Sequence, residues 1–231
     1  MNGASIITEE EYQLKTDLRD AISRVDRVER YVRSNPKPKI KIVNYLSNLI
    51  CFKYEDKSLS EKLELLTSML NQIEAEFTKD PAFLILPYLQ SAEKTGMTIK
   101  WETIYPAYGY IEYGKTRNFG KKTIEEANPN LIHQLTLVGL EPDQKYFYRV
   151  VCGNMSSEIS TFTTKPASNR PFKFIVYGDN RTQVKIHERV ARQIAKENSD
   201  FVINVGDVVS RGEVLHQWID EYFLPIGAYS N

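Results

Sequence analysis

The hydrophobic pattern of this chain changes period at Pro81, and that change constrains the fold more than any other feature. Before it, apolar residues recur at helical spacing. Leu14, Leu18, Ala21, Val25, Val28 and Val32 are separated by four and three residues in alternation, and Leu59, Leu63, Leu66, Leu70, Ile73 and Phe77 repeat the spacing. Such a stripe defines one face of an amphipathic helix. Ser58 with Glu61 three residues on has the form of a capping box, marking where the second helix begins. NPKPK (35–39) ends the first helix, because each proline lacks a donor and biases its predecessor away from the helix. Ile42, Val43, Leu46, Leu49 and Ile50 suit a shorter middle helix. Residues 1–80 are thus expected to form a helical region. An antiparallel bundle is the simpler packing, and self-association through a coiled coil is the alternative. The basic cluster Arg33, Lys37, Lys39 and Lys41 reads as a solvated connector.

After Pro81 the period becomes two. Met97, Ile99 and Trp101 alternate with Thr98, Lys100 and Glu102. Further strand candidates fall at 108–114, 121–126, 131–139, 145–152 and 157–164. A run of short strands without intervening helices indicates a β-sandwich over 81–166. The stretch LVGLEPDQKYFYRVVCG (137–153) resembles the E–F corner of a fibronectin type III domain. The resemblance implies that Leu140 and Pro142 precede a corner tyrosine, Tyr146, whose hydroxyl ties back to the main chain, and that Trp101 is the core tryptophan. Tyr108, Tyr110 and Tyr113 read as strand-face packing rather than a binding surface.

KPASNRP (165–171) is a linker, and the region after it, 171–231, has a third pattern. FKFIVYGDNRT (172–182) and SDFVINVGDVVSRGE (199–213) are apolar runs that each end in Gly-Asp. Between them lies an amphipathic stretch with Val184, Ile186, Val190, Ile194 and Ala195. A final one, VLHQWIDEYF, covers 214–223. Continuously apolar strands alternating with helices are patterned for a parallel sheet buried on both faces. Two strands and two helices are too few to cover both faces, so apolar surface is expected to stay exposed. Asp179 and Asp207 each follow the C-terminal end of a strand, the edge where open α/β sheets gather ligands. Adjacent strands would make these carboxylates converge. Converging carboxylates repel unless a cation lies between them, and hard cations favour carboxylate oxygen. The alternative is that each aspartate caps the helix that follows it.

YGDNRT and NVGDVVSRGE together resemble the first two blocks of a calcineurin-like metallophosphoesterase. A sandwich placed just before them, opened by PYLQ (87–90) and TGMTIKWET, is similar to the N-terminal domain of purple acid phosphatases. The resemblance spans 83–231 and implies a phosphoester hydrolase with a dinuclear metal centre, iron paired with zinc, manganese or iron. By it, Asp179 would be a ligand of the first metal and Asp207 would bridge the two. The implied reaction is in-line attack of a metal-bound hydroxide on a phosphate ester substrate.

This sequence departs from the family at several places. Arg181 stands where metallophosphoesterases carry histidine, and Ser210 where purple acid phosphatases carry tyrosine. Arg181 either contacts substrate phosphate bidentately or pairs with Asp179 and leaves the metal site empty. The later Gly-Asn-His and Gly-His-x-His blocks do not occur. Of the three histidines, His133 and His187 read as packing residues, and His216 as a substrate contact at most. The chain is therefore expected to be a catalytically incomplete, N-terminal part of such an enzyme. The competing expectation is a non-catalytic binding or assembly protein built on the helices and the sandwich.

Composition excludes other classes. Thirty basic residues balance 30 acidic ones, giving no electrostatic case for a nucleic-acid partner. Two cysteines cannot supply a disulfide framework. No apolar run is long enough for a transmembrane helix. MNGASIITEEEYQLK lacks the apolar core of a signal peptide, although many family members are exported, so the sequence leaves the compartment open.

Overall fold

The computed structural model describes residues 8–34, 57–79, 82–212, 214 and 217–230. The middle helix expected over 42–50, the basic residues Lys37, Lys39 and Lys41, and His216 lie outside the described residues. The chain divides into two compact units, Met1–Lys79 and Asp80–Asn231.

In the first unit, helices α1 (Glu9–Ser34) and α2 (Leu59–Lys79) pack together. The predicted stripes face inward most fully at Ala21 and Val28 of α1 and at Leu70 and Ile73 of α2. The capping box at Ser58 forms. Its main-chain N–H donates to Glu61 Oε2 at 2.9 Å, and the Glu61 N–H donates to Ser58 Oγ at 3.3 Å. These bonds satisfy donors that the first helical turn leaves open, and the Ser58 hydroxyl, which donates to Glu61 Oε2 at 2.6 Å, together with the Ser58 N–H holds the exposed Glu61 carboxyl below its usual range. Thr8 and Glu11 make the same reciprocal pair at the start of α1, a cap that the sequence reading did not identify. Among the described residues no helix is long and apolar enough to cross a membrane.

The second unit opens with a sandwich of antiparallel sheets. One sheet has the order β1-β2-β5, from β1 (Phe83–Gln90), β2 (Gly96–Ala107) and β5 (Asn130–Val138). The other has the order β4-β3-β6-β7, from β3 (Gly109–Gly114), β4 (Lys121–Lys122), β6 (Lys145–Cys152) and β7 (Met155–Ser156), with β8 (Ser160–Thr163) also pairing β6. Met97, Ile99 and Trp101 of β2 meet Ile111, Tyr148, Val150 and Phe162 in one buried core. Trp101 donates its indole N–H to Cys152 Sγ at 3.2 Å. Burial pushes that thiol up to about 11, so Cys152 packs as an inert apolar group.

His133 is fully buried and stacks on Trp101 with ring centroids 4.8 Å apart. Its Nδ1 lies 2.5 Å from Glu126 Oε2, and its Nε2 lies 3.1 Å from Thr103 Oγ1. It is a packing histidine with both ring nitrogens satisfied. The same contact explains why the strand expected over 121–126 is only two residues long. Thr123 and Glu126 still donate main-chain bonds to Ile111 and Gly109, but at broken spacing, as Glu126 turns inward to reach the imidazole. Gly109 permits this layering, because a Cβ there would lie 2.6 Å from the Trp101 ring.

The corner before β6 is tied by Tyr146, whose hydroxyl accepts the Glu141 N–H at 2.9 Å. Tyr146 is itself buried, so removing the oxygen deprives that part-buried N–H of its acceptor. Tyr146→Phe is expected to destabilise the second unit by about 1–2 kcal/mol, read as a lowered midpoint in urea with Trp101 fluorescence as the probe. An unchanged midpoint would contradict the role of the corner.

After the sandwich come β9 (Phe174–Tyr177), α3 (Val184–Lys196), β10 (Phe201–Asn204), a π-helical segment Trp218–Phe223 and a short helical turn Leu224–Ile226. β9 and β10 pair in parallel from Phe201 opposite Phe174 to Asn204 opposite Tyr177. The burial implied by their apolar runs is reached only in part. Ile175, Tyr177, Val202 and Asn204 are half-buried, while Phe174, Val176, Phe201 and Ile203 point to an exposed side where Phe172, Phe174 and Phe201 stack on one another. Helix α3 buries His187, Ala191 and Ile194 and leaves Ile186 and Val190 exposed, so its inward stripe is offset from the one read in the sequence.

Candidate metal site at the paired Gly-Asp turns

Because β9 and β10 run in parallel and in register, both chains leave the sheet at the same edge. Their hydrogen bonding continues beyond the strands. Val205 N–H donates to Tyr177 O, Asp179 N–H to Gly206 O and Arg181 N–H to Asp207 O, at 2.9, 3.0 and 3.2 Å. The turns are thus laced to each other and not only to their own strands. Gly178 makes the approach feasible, since a Cβ there would lie 2.6 Å from a Val205 methyl.

Asp179 and Asp207 both adopt left-handed backbone, with φ of 51° and 52°, and Thr182 follows with φ of 67°. Residues other than glycine take this conformation at a cost, and asparagine and aspartate bear it best. Such strain persists only where neighbours fix it. Here Asn180 and Asn204 do so. The Asn180 amide donates to Val208 O at 3.1 Å and accepts from Asn204 Nδ2 at 2.8 Å, while Asn204 Oδ1 accepts the Gly206 N–H at 3.0 Å. Neither asparagine was singled out in the sequence, although each lies within three residues of a Gly-Asp aspartate.

The carboxylates point into solvent, with side-chain exposures of 79% for Asp179 and 55% for Asp207. Among the described residues neither is a helix N-cap: Gln183 precedes α3 and Gln217 precedes the π-helical segment, neither with a side-chain capping bond. Arg181 reaches both, its Nε 3.7 Å from Asp179 Oδ1 and its Nη1 3.3 Å from Asp207 Oδ1. One guanidinium therefore serves two carboxylates and leaves the trio with a single net negative charge. A cavity of about 570 Å³ opens beside the first turn, lined by Tyr177, Asp179, Asn180, Arg181, Ile186 and His187 among others.

Two exposed carboxylates that already draw in a positive group suit a single hard cation. They do not amount to a dinuclear centre. Among the described residues no group of three or more His, Cys, Asp or Glu side chains is arranged to hold a metal ion. His187 is buried and committed. Its Nδ1 donates to the Glu221 carbonyl at 2.7 Å, and its Nε2 lies 3.1 Å from the Tyr177 hydroxyl, which is 2.6 Å from that of Tyr229. Ser210, at the family's tyrosine place, donates its hydroxyl and its N–H to the Glu221 carboxylate.

Residues 85–164 match the family model of the purple acid phosphatase N-terminal domain, so the sandwich is similar to that domain. Among curated proteins the chain is similar to purple acid phosphatase 21 of Arabidopsis thaliana, 35% identical over 107 residues, which is 42% of this chain and 23% of the relative. It is also similar to alkaline phosphatase D of Bacillus subtilis (strain 168), 27% identical over 120 residues, 50% of this chain and 19% of the relative. The chain thus matches about a fifth of the length of these relatives. The solved structure of PhoD aligns with 53% of this chain and 27% of its own, at 20% identity and a TM-score of 0.45. The family match and the two curated relatives support a resemblance to phosphoesterases.

Burial holds the His187 imidazole below the ordinary histidine range, outweighing the opposite pull of the Glu221 carbonyl and of Glu188. The folded state therefore disfavours the imidazolium, and the unfolded chain takes up the proton first. Stability from this group is complete above the ordinary value of about 6.5 and is lost as the pH falls below it. The unfolding midpoint of the second unit is expected to drop between about pH 7 and pH 5. His187→Gln, which keeps a donor for the Glu221 carbonyl, should flatten that segment of the profile. An equally steep profile in the variant would show that another group titrates.

Proposed function

We propose that this chain carries the cation- and phosphate-binding turns of a metal-dependent phosphoester hydrolase of the purple acid phosphatase type. Asp179 and Asp207 hold the cation, and Arg181 meets the phosphate. The observation that carries the reading is the lacing of the two Gly-Asp turns at one sheet edge, directly after a sandwich of the purple acid phosphatase kind. A bound cation would supply Lewis acidity and charge neutralisation toward a phosphate ester. With two carboxylates and no imidazole in reach, the described residues provide binding without turnover. Hydrolysis needs further ligands and a general acid for the leaving group.

Arg181 has two roles in this reading. Without a cation it offsets half the charge of the aspartate pair, and its tether makes it a competitor for the same carboxylates. With a cation present, its fork is released to face phosphate oxygens bidentately. Arg181→Gln is therefore expected to tighten Mn²⁺ binding by about threefold, the scale of exposed ion pairs, while weakening capture of phenyl phosphate by the Mn²⁺-loaded protein. Asp207→Asn should abolish both. The measurement is Mn²⁺ titration by electron paramagnetic resonance, followed by ³¹P relaxation of phenyl phosphate. Absence of saturable Mn²⁺ binding, or ³¹P relaxation insensitive to Arg181, would overturn the assignment.

A further inference from the structure

We propose that Glu221 is the positioning residue that clamps the two Gly-Asp turns together, an inference that rests on reading these turns as a cation site. Glu221 lies in the π-helical segment Trp218–Phe223, outside every motif that suggested the site. Its carboxylate accepts bonds from both turns. From the second, Ser210 N–H reaches Oε2 at 2.8 Å, and Ser210 Oγ lies 2.9 Å from Oε2 and 3.0 Å from Oε1. From the first, Thr182 N–H reaches Oε2 at 3.3 Å. Its main-chain carbonyl takes the His187 Nδ1–H and so anchors the same residue to α3. One side chain thus joins segments that are 28 residues apart in the chain, and a third contact fixes the clamp itself.

The strain in the first turn gives the clamp something to do. Thr182 has left-handed backbone, which a threonine adopts unfavourably, and its N–H is the group bound by Glu221. Releasing that bond lets Thr182 relax and carries Arg181 and Asp179 with it. In the second turn Ser210 lies three residues past Asp207, so its loss of anchorage moves the other carboxylate. The π-helical segment suits the task, since its irregular turn re-aims a side chain that a regular helix would point elsewhere. The carboxylate itself touches neither the proposed cation nor the substrate; its role is to fix the separation of groups that do.

The test uses the whole chain and two readouts. Hydrogen exchange of the Thr182 and Ser210 amides is followed in cation-free protein, and Mn²⁺ affinity is taken from paramagnetic resonance. In Glu221→Ala both amides are expected to exchange about tenfold faster and Mn²⁺ affinity to fall about tenfold, with sandwich amides such as Val150 unchanged. Glu221→Gln retains an acceptor oxygen for both N–H groups and should restore most of each. Ser210→Ala removes only the hydroxyl donor, so it tests the clamp without endangering the fold and should spare Thr182. Unchanged protection of Thr182 and Ser210 in Glu221→Ala overturns the proposal. Lost protection with unaltered Mn²⁺ affinity overturns the positioning role. If the unsubstituted protein binds no Mn²⁺, the cation reading falls, and amide exchange alone decides the clamp.

Discussion

The in-register parallel pairing of β9 with β10 is the interaction on which the candidate site depends. Four residue pairs, from Phe201 opposite Phe174 to Asn204 opposite Tyr177, fix where each strand stops. A parallel pair sends both chains out in the same direction, so the two turns emerge side by side. A one-residue slip would invert the faces of one strand and separate Asp179 from Asp207. The bonds beyond the strands, from Val205, Asp179 and Arg181 to the opposite chain, hold the register after regular pairing ends. The left-handed aspartates and the asparagine amides are consequences of this placement.

A second set of contacts connects the sandwich to that edge. Leu89 of β1 donates its N–H to Ser230 O at 3.0 Å, and Tyr88 lies 5.2 Å from Phe223 between ring centroids. Phe223 is two residues from Glu221, and Tyr229 reaches the Tyr177 hydroxyl at the end of β9. The first strand of the sandwich thus braces the segment that in turn braces both turns. This gives the adjacency of the two patterns in the chain a physical meaning: the sandwich serves as a buttress for the turns.

Much of this was legible in the sequence, for reasons that are local. Heptad spacing, the Ser58–Glu61 box, alternation around Trp101 and the corner at Tyr146 are short-range patterns, and short-range patterns can be read from a linear string. The two Gly-Asp turns were legible because glycine and aspartate at strand ends have few structural reasons to recur. What stayed hidden depends on contacts across many residues. Glu221 is 39 residues from Thr182 and looks like an ordinary charged position on an amphipathic stretch. Glu126 has the appearance of a strand residue until His133 draws it inward. Arg181 left two alternatives open, and the structure shows the guanidinium paired with both aspartates instead of one.

The central claim is that Asp179 and Asp207 act as one cation site built from two turns. Residue-resolved paramagnetic broadening tests it directly. Sub-stoichiometric Mn²⁺ added to the isotope-labelled chain should broaden the amide signals of 178–182 and 205–209 together, and leave those of β2 and β6 sharp. Broadening confined to one turn, or centred elsewhere in the molecule, would contradict the account.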